Sequence, residues 1–460
     1  MKKYQALSVL AAGVLLMSAQ GFTHVEESND GRRFIQVRAK TVQERSKIAG
    51  LGMAIDAVLS DGVWGSADPK SLSAIKKEGF EIVGDFPIET ARGGHGSIST
   101  FDYNSGDQRF RNYDEMTSEL ELLASQNADI AKVHDLGTSR EGRHLVAIQI
   151  NSSGPDLLNG SSNKPGIFFE GMHHAREHLA AQITMMIAKY ILENRNDPQI
   201  EALIDSRDIW VAPMMNPDGL EHDIDGGQYK YWRKNRTQNS NGTYGVDLNR
   251  NYGYKWGSSG GQAASPNPSS DTYRGPTPFS EPETQAIKNF VDARPNLNAV
   301  ISIHTFSELI LYPWGWTNDP ISNQDDFQLH KKVAETMARW NGYTPEQTSD
   351  LYIAPGTTMD WAYGEHGIMA FTFELSPKMP SNPFGGAKGF YAGAPLIDQV
   401  FTANIRPFLY LVDLADNPKR ALAEKDTPKC LDGIVHPKVP LEFFWESEPW
   451  RMVQPAVANN

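Results

Sequence analysis

Gly166-Ile-Phe-Phe-Glu170, running straight into Gly-Met-His-His174-Ala-Arg-Glu177, is the stretch on which the fold turns. Its first half is apolar without alternation, the pattern of a strand covered on both faces. Its second half breaks that run and opens onto a helical pattern from about Ala175 to Asn194. Outward from it the order repeats. Ile209-Trp-Val-Ala-Pro213, Ala299-Val-Ile-Ser-Ile303 and Met369 to Leu375 are further apolar runs with helical sequence between them. Strands alternating with helices predict an α/β sheet carrying helices on both faces. Gly257 to Ser270, rich in Gly, Ser, Pro and Asn, reads as a surface loop.

The same segments carry chemistry. His174 and Glu177 are three residues apart, so on one helical turn they share a face and can share a metal. A lone pair of this kind also arises by chance. His304 ends the strand Ala299 to Ile303, the edge where sites form in open α/β sheets. Three such ligands leave a fourth position free, as in catalytic metal sites. Glu374 lies in Phe371-Thr-Phe-Glu-Leu375, where Phe371, Phe373 and Leu375 point to the other face. A carboxylate there is costly to bury unpaired. It is either a salt-bridge partner or, beside a metal, a general base.

Upstream, Lys2 and Lys3 precede an apolar run from Ala6 to Met17, and Ala19-Gln20-Gly21 offers small residues for cleavage. Residues 1–21 read as a signal peptide, with an uncleaved anchor as the alternative. Residues 32–90 form a compact unit. Phe34 to Arg38 alternates like a strand, Thr41 with Glu44 is a capping box, and Val63-Trp64 suits a second strand. Asp68-Pro69 opens a helix that Gly79 closes, and Glu81 to Val83 is a third strand. A small α/β sandwich fits. Residues 91–108, with Gly93, Gly94 and Gly96, read as a linker. The large domain spans 109–420, and an aromatic-bearing tail, 421–460, packs back on it. A net charge of −13 on 460 residues argues against nucleic acid as a partner. A single cysteine, Cys430, excludes an intramolecular disulfide.

The chain resembles the M14 metallocarboxypeptidase family, most closely its A/B subfamily, whose members carry an N-terminal propeptide. The carrying segments are Gly171 to Glu177, Asn216-Pro-Asp-Gly219, Trp232-Arg-Lys-Asn-Arg236, Gly245-Val-Asp-Leu-Asn-Arg-Asn251, Ser302-Ile-His304, Leu311-Tyr-Pro-Trp-Gly315, Tyr352-Ile-Ala-Pro-Gly356 with Asp360-Trp361, and Phe371 to Leu375. They run in family order across about 200 residues. The resemblance implies a mixed twisted sheet flanked by helices, behind a small α/β propeptide, in an enzyme that cuts peptides from the carboxyl end. It implies one zinc on His174, Glu177 and His304, with His173 a bystander. Glu374 becomes the base that takes the proton of the attacking water. Arg236 polarises the scissile carbonyl. Asn249, Arg250 and Tyr352 grip the terminal carboxylate. Arg176 meets the substrate further from its end, and Asp247 orients a ligand histidine.

Leu311, Gly315, Ala354, Met359 and Thr372 are implied to line the pocket for the terminal side chain. Met359 stands where an acidic residue selects basic termini, so hydrophobic or aromatic residues are expected. Acidic groups from unassigned loops could still reach in. His178 stands where the family often has tryptophan, and Phe306 replaces a tyrosine. The order of parts implies an exported zymogen; no later stretch is long and apolar enough for a membrane helix, and the resemblance makes a monomer the default. A trypsin-like protease would activate it at Arg92, Arg109 or Arg111. A permanent accessory domain is the alternative for the first unit. A cell-wall peptide-trimming enzyme of the same fold and an inactive peptide-binding protein are the alternatives for the whole.

Overall fold

A computed structural model of the protein describes residues 31–88, 103, 107–152, 162–227, 229–258, 263–378 and 389–423. The signal segment, the linker from Thr90 through Arg92 to Asp102, Cys430 and the tail aromatics Phe443, Phe444, Trp445 and Trp450 lie outside the described residues.

In the N-terminal unit, period-2 alternation sorts side chains between two partners. Strands β1 (Arg33–Arg38), β2 (Ala54–Val58), β3 (Gly62–Ala67) and β4 (Ile82–Pro87) form an antiparallel sheet in the order β2-β3-β1-β4. Ile35, Val37 and Val63 share a buried cluster with Ile48 and Ala49 of the helix Val42–Gly50 and Ile75 of the helix Pro69–Lys77. Phe34, Ala57 and Trp64 cluster instead with Tyr231, Phe306 and Phe390 of the large domain. Both predicted caps form. Thr41 and Glu44 bond reciprocally, and Asp68 accepts from Lys70 N and Ser71 N. Each such cap stabilises its helix by about 1 kcal/mol. Three strands were expected here; β2 is the addition.

The large domain is built on β5 (Ala131–Thr138), β6 (His144–Ile150), β7 (Gly166–Gly171), β8 (Asp208–Ala212), β9 (Leu297–Ser307), β10 (Leu309–Tyr312), β11 (Thr344–Gln347) and β12 (Met369–Lys378). Their order is β11-β10-β12-β9-β7-β8-β6-β5. The centre is parallel, β12 to β9 to β7 to β8, while β10–β12, β8–β6 and β6–β5 are antiparallel. Both faces are covered. Ile167, Phe169, Ile301, Ile303, Phe371 and Phe373 point to one core, under the helices His178–Glu193 and Ile397–Leu414. Phe168, Trp210, Val300 and Ala370 point to the other, under Pro282–Asp292 and Thr358–His366. The mixed sheet with two helical layers is as expected. Two local expectations fail. The helix after β7 begins at His178, so His174 and Glu177 lie in the loop before it. In the expected surface loop, Ala263, Ala264 and Ser270 are buried; Ala263 joins the apolar cluster of the N-terminal unit, and Ser270 Oγ donates to Gly52 O at 3.4 Å.

Candidate active site

The loop after β7 places two donors without a helix. Glu177 N donates to His174 O at 3.1 Å, closing a turn that brings both side chains together. The parallel pairing of β9 with β12 supplies the rest, because His304 and Glu374 are register partners. One ligand atom each of His174, Glu177 and His304 lies within 4.8 Å of the others, and all three residues are buried. Their contacts are His174 Nδ1 to Glu177 Oε1 at 2.7 Å, His304 Nδ1 to Glu177 Oε2 at 2.8 Å, and Nδ1 to Nδ1 at 3.2 Å.

The far side of each ring fixes its orientation. His174 Nε2 lies 3.1 Å from Asp247 Oδ1, and His304 Nε2 lies 3.1 Å from Ser302 Oγ. Protons on those nitrogens leave both Nδ1 lone pairs facing each other and a carboxylate, the donor set of a hydrolytic zinc. The residues therefore fit that metal. His173 stands aside, with Nε2 2.8 Å from the Tyr252 hydroxyl.

Charge is distributed to match. Burial alone would raise Glu177, but His174 and His304 hold it below the usual carboxylate range. Burial would likewise raise Asp247, while Arg233, His174 and Arg250 keep it well below. Glu374 goes the other way. Burial first, then the Glu177 carboxylate, lift it well above the usual range against the pull of Arg233 and Arg250. A carboxylate so placed is a strong proton acceptor.

A cavity of about 390 Å³ opens from the cluster. His174, Glu177, Asn249, Arg250, Tyr352, Met359 and Glu374 line it, and so does Arg233. Arg236 does not. Its guanidinium stacks between the Trp232 and Tyr244 rings at 4.9 and 4.7 Å, with Nε 3.8 Å from Glu141 Oε1. Arg233 is the arginine of that motif at the site, held by Asp247 Oδ2 through Nε at 3.0 Å and Nη2 at 2.9 Å. The motif offered two arginines, and spacing alone could not choose between them. Arg250 donates to Ala263 O and to its own neighbour Asn249 O. Asn249 lines the cavity beside His304, with Oδ1 accepting from Thr358 N at 3.0 Å.

The expected pocket residues Leu311, Ala354, Met359 and Thr372 come together. Thr348 and Thr372 each bring Oγ1 to 3.9 Å from Met359 Sδ. Gly315, also expected there, does not line the cavity; a Cβ on it would stand 3.1 Å from Ala354 O. Thr348 and Glu346 also line the cavity and were not named from the sequence. His178, in the tryptophan position, is buried among Tyr103, Phe110, Tyr229 and Tyr391, with Nε2 2.9 Å from Asp223 Oδ2.

The N-terminal unit reaches into this cavity through β2. Asp56 pairs with Arg176 and accepts from the Tyr231 hydroxyl at 2.6 Å. Arg176 lies over the Tyr231 and Phe390 rings at 4.3 and 4.4 Å, and among the described residues its Nε and Nη1 have no hydrogen-bond partner. The Tyr352 hydroxyl donates to Ile55 O at 3.3 Å. Arg45 donates to Leu351 O and Asp350 O, both at 2.7 Å. No sequence signal marked Asp56, an ordinary polar residue in a short strand.

Comparison with known proteins agrees with this geometry. The zinc carboxypeptidase family model matches residues 116–405. A zinc carboxypeptidase of Saccharothrix mutabilis subsp. capreolus is 33% identical over 402 residues, 82% of this chain and 89% of that protein. Carboxypeptidase B of Astacus astacus is 32% identical over 275 residues, 58% of this chain and 86% of that one. The crystal structure of carboxypeptidase A from Helicoverpa armigera superposes with a TM-score of 0.64 at 24% identity, covering 87% of this chain and all of that one, a likeness of fold.

Proposed function

The chain belongs to the zinc carboxypeptidase family of peptide hydrolases, and we propose that it is an exported zymogen that removes hydrophobic or aromatic residues from peptide C-termini. One observation carries the reading. A single cavity, lined by His174 and Glu177 of the three-residue donor cluster that His304 completes, joins that cluster and Glu374 to Arg250, Tyr352 and Met359. Zinc, the metal of this family, supplies an acidified water and a polarised carbonyl when bound.

The chain's own residues do the rest. Arg250 and Tyr352 receive the terminal carboxylate, which sets the direction of attack. Asn249, fixed by Thr358 N, helps frame that end. Arg233 donates to the scissile carbonyl oxygen as negative charge grows on it. Glu374 accepts a proton from the attacking water and returns it to the leaving amine. Arg176 receives the substrate further from its end. Met359, with Leu311, Ala354 and Thr372, gives the terminal side chain an apolar seat, worth roughly 1.5–3 kcal/mol for a Phe or Leu.

Latency is supported by where β2 lies. Asp56 occupies Arg176, Ile55 O occupies the Tyr352 hydroxyl, and Arg45 lines the cavity. A trypsin-like protease cutting the linker would free all three. Export is supported by the signal-like segment 1–21. Among the described residues no helix is long and apolar enough to cross a membrane.

The test is a digest of matched peptides with linker-cut protein, with and without chelator. Free C-termini should be trimmed, amidated ones should resist, and chelator should stop the release. Equal cutting of free and amidated peptides would end the exopeptidase reading.

A further inference from the structure

The wall of the side-chain pocket holds a carboxylate. Strands β12, β10 and β11 lie side by side, with Thr372 in register with Leu311, and Leu311 with Glu346. Register partners point to one face. Thr372 and Leu311 face the cavity, and Glu346 lines it beside them. Thr348, which opens the 3-10 turn after β11, lines the same cavity and brings Oγ1 to 3.9 Å from Met359 Sδ. Glu346 therefore stands one strand spacing beyond Leu311, about 5 Å.

Among the described residues no hydrogen bond ends on the Glu346 carboxylate. Asp350, on the same segment, repels it, and Arg45 of the N-terminal unit attracts it. Arg45 is anchored by the carbonyls of Asp350 and Leu351, so a guanidinium already rests against this wall in the uncut chain. When the N-terminal unit departs, that cation departs with it. The carboxylate stays.

We propose that Glu346 is a second specificity residue, which receives the ammonium or guanidinium of a C-terminal Lys or Arg in the matured enzyme. The methylene stem of such a side chain lies along Leu311 and Met359 while its charge reaches the wall. Phe or Leu fills the floor without needing Glu346. A terminal Glu meets like charge and is disfavoured. The proposal rests on the carboxypeptidase reading above.

The experiment compares linker-cut, zinc-loaded parent enzyme with Glu346→Gln and Glu346→Lys. The substrates are peptides identical except for a terminal Phe, Lys, Arg or Glu. In Glu346→Gln the Lys-to-Phe and Arg-to-Phe ratios of kcat/KM should fall tenfold or more. In Glu346→Lys the order of Lys and Glu termini should reverse. Unchanged ratios in both variants overturn the proposal. A parent enzyme inactive on the Phe peptide as well overturns the carboxypeptidase reading itself, which the Phe arm tells apart from an error at Glu346.

Discussion

Arg233 and Arg236 sit three residues apart in one motif, yet they do different work. Asp247 draws Arg233 inward with two hydrogen bonds, while Arg236 lies between two rings beside Glu141. If Arg233 polarises the carbonyl, Arg233→Ala should lower kcat/KM by roughly 10²–10³-fold, the scale for one oxyanion donor. Arg236→Ala should cost a few-fold at most. Steady-state kinetics on one peptide checks both, and the reverse order would restore the sequence-based choice. Glu374 gives the second prediction. Glu374→Gln keeps size and removes the acceptor, so bound zinc should stay near one per chain while turnover falls roughly 10²–10⁴-fold. Metal analysis on the same sample separates this from loss of the site, which is the outcome expected of His304→Ala. Most of this site was legible as residue types at fixed spacings. Which of two equivalent arginines turns inward was not, because Asp247 decides it from a distant segment.

Among the elements, the long apolar runs read correctly because burial on both faces leaves a continuous signal. Phe371, Phe373 and Leu375 reach one core while Thr372 and Glu374 reach the cavity. Strand β2 was missed for the opposite reason. Ala54-Ile-Asp-Ala-Val58 is short, follows a glycine-broken turn, and carries its charge at Asp56, where alternation alone suggests solvent. That charge faces Arg176, a partner 120 residues away. Helix-to-strand docking gives a pH prediction. His330, on the helix Gln324–Asn341, has Nδ1 2.8 Å from Asp326 O and Nε2 3.3 Å from Ala370 N on β12. The ring donates at Nδ1 and accepts at Nε2, and the second bond needs the neutral ring. Burial lowers its pKa to about 4, with the Asp326 contacts opposing. The folded chain therefore binds fewer protons than the unfolded one between pH 6.5 and about 4. Stability should fall as pH drops through that window, by up to roughly 3 kcal/mol from this group. Urea unfolding of the parent and His330→Gln at pH 7 and 4.5 checks it. The variant should lose less stability on acidification, and parallel losses would remove His330 as the cause.

In the whole molecule, two sheets meet over one cavity, and in the proposed zymogen the linker between them is what an activating protease would cut. Arg92, Arg109 and Arg111 were the candidate cut sites, but they are not equivalent. Tyr103 and Phe110 are buried against His178, and Asp107 accepts from the Tyr229 hydroxyl and from Ala394 N. Arg109 and Arg111 pair with Asp398 and Glu119. A protease needs an extended, accessible segment, and this stretch is tied to the large domain. Activation should therefore cut after Arg92, leaving Tyr103 and the residues from Asp107 to Arg111 packed on the mature enzyme. N-terminal sequencing after limited trypsin treatment should read Gly93 first, together with a rise in activity. A first cut at Arg109 or Arg111 would refute the ordering. The proposed closed state would rest on the pair of Asp56 and Arg176, whose side chains are 1% and 0% exposed. Removing one member of a buried ion pair costs roughly 3–5 kcal/mol, because the other charge is left uncompensated. Here that cost falls on the closed arrangement, since opening returns Arg176 to the cavity and its water. Asp56→Ala should thus raise the activity of the uncut chain towards that of the cut one, and leave the cut enzyme as it was. If uncut Asp56→Ala stays as weak as the uncut parent, the aromatic contact of Phe34 and Trp64 with Tyr231, Phe306 and Phe390 holds the unit in place without the ion pair.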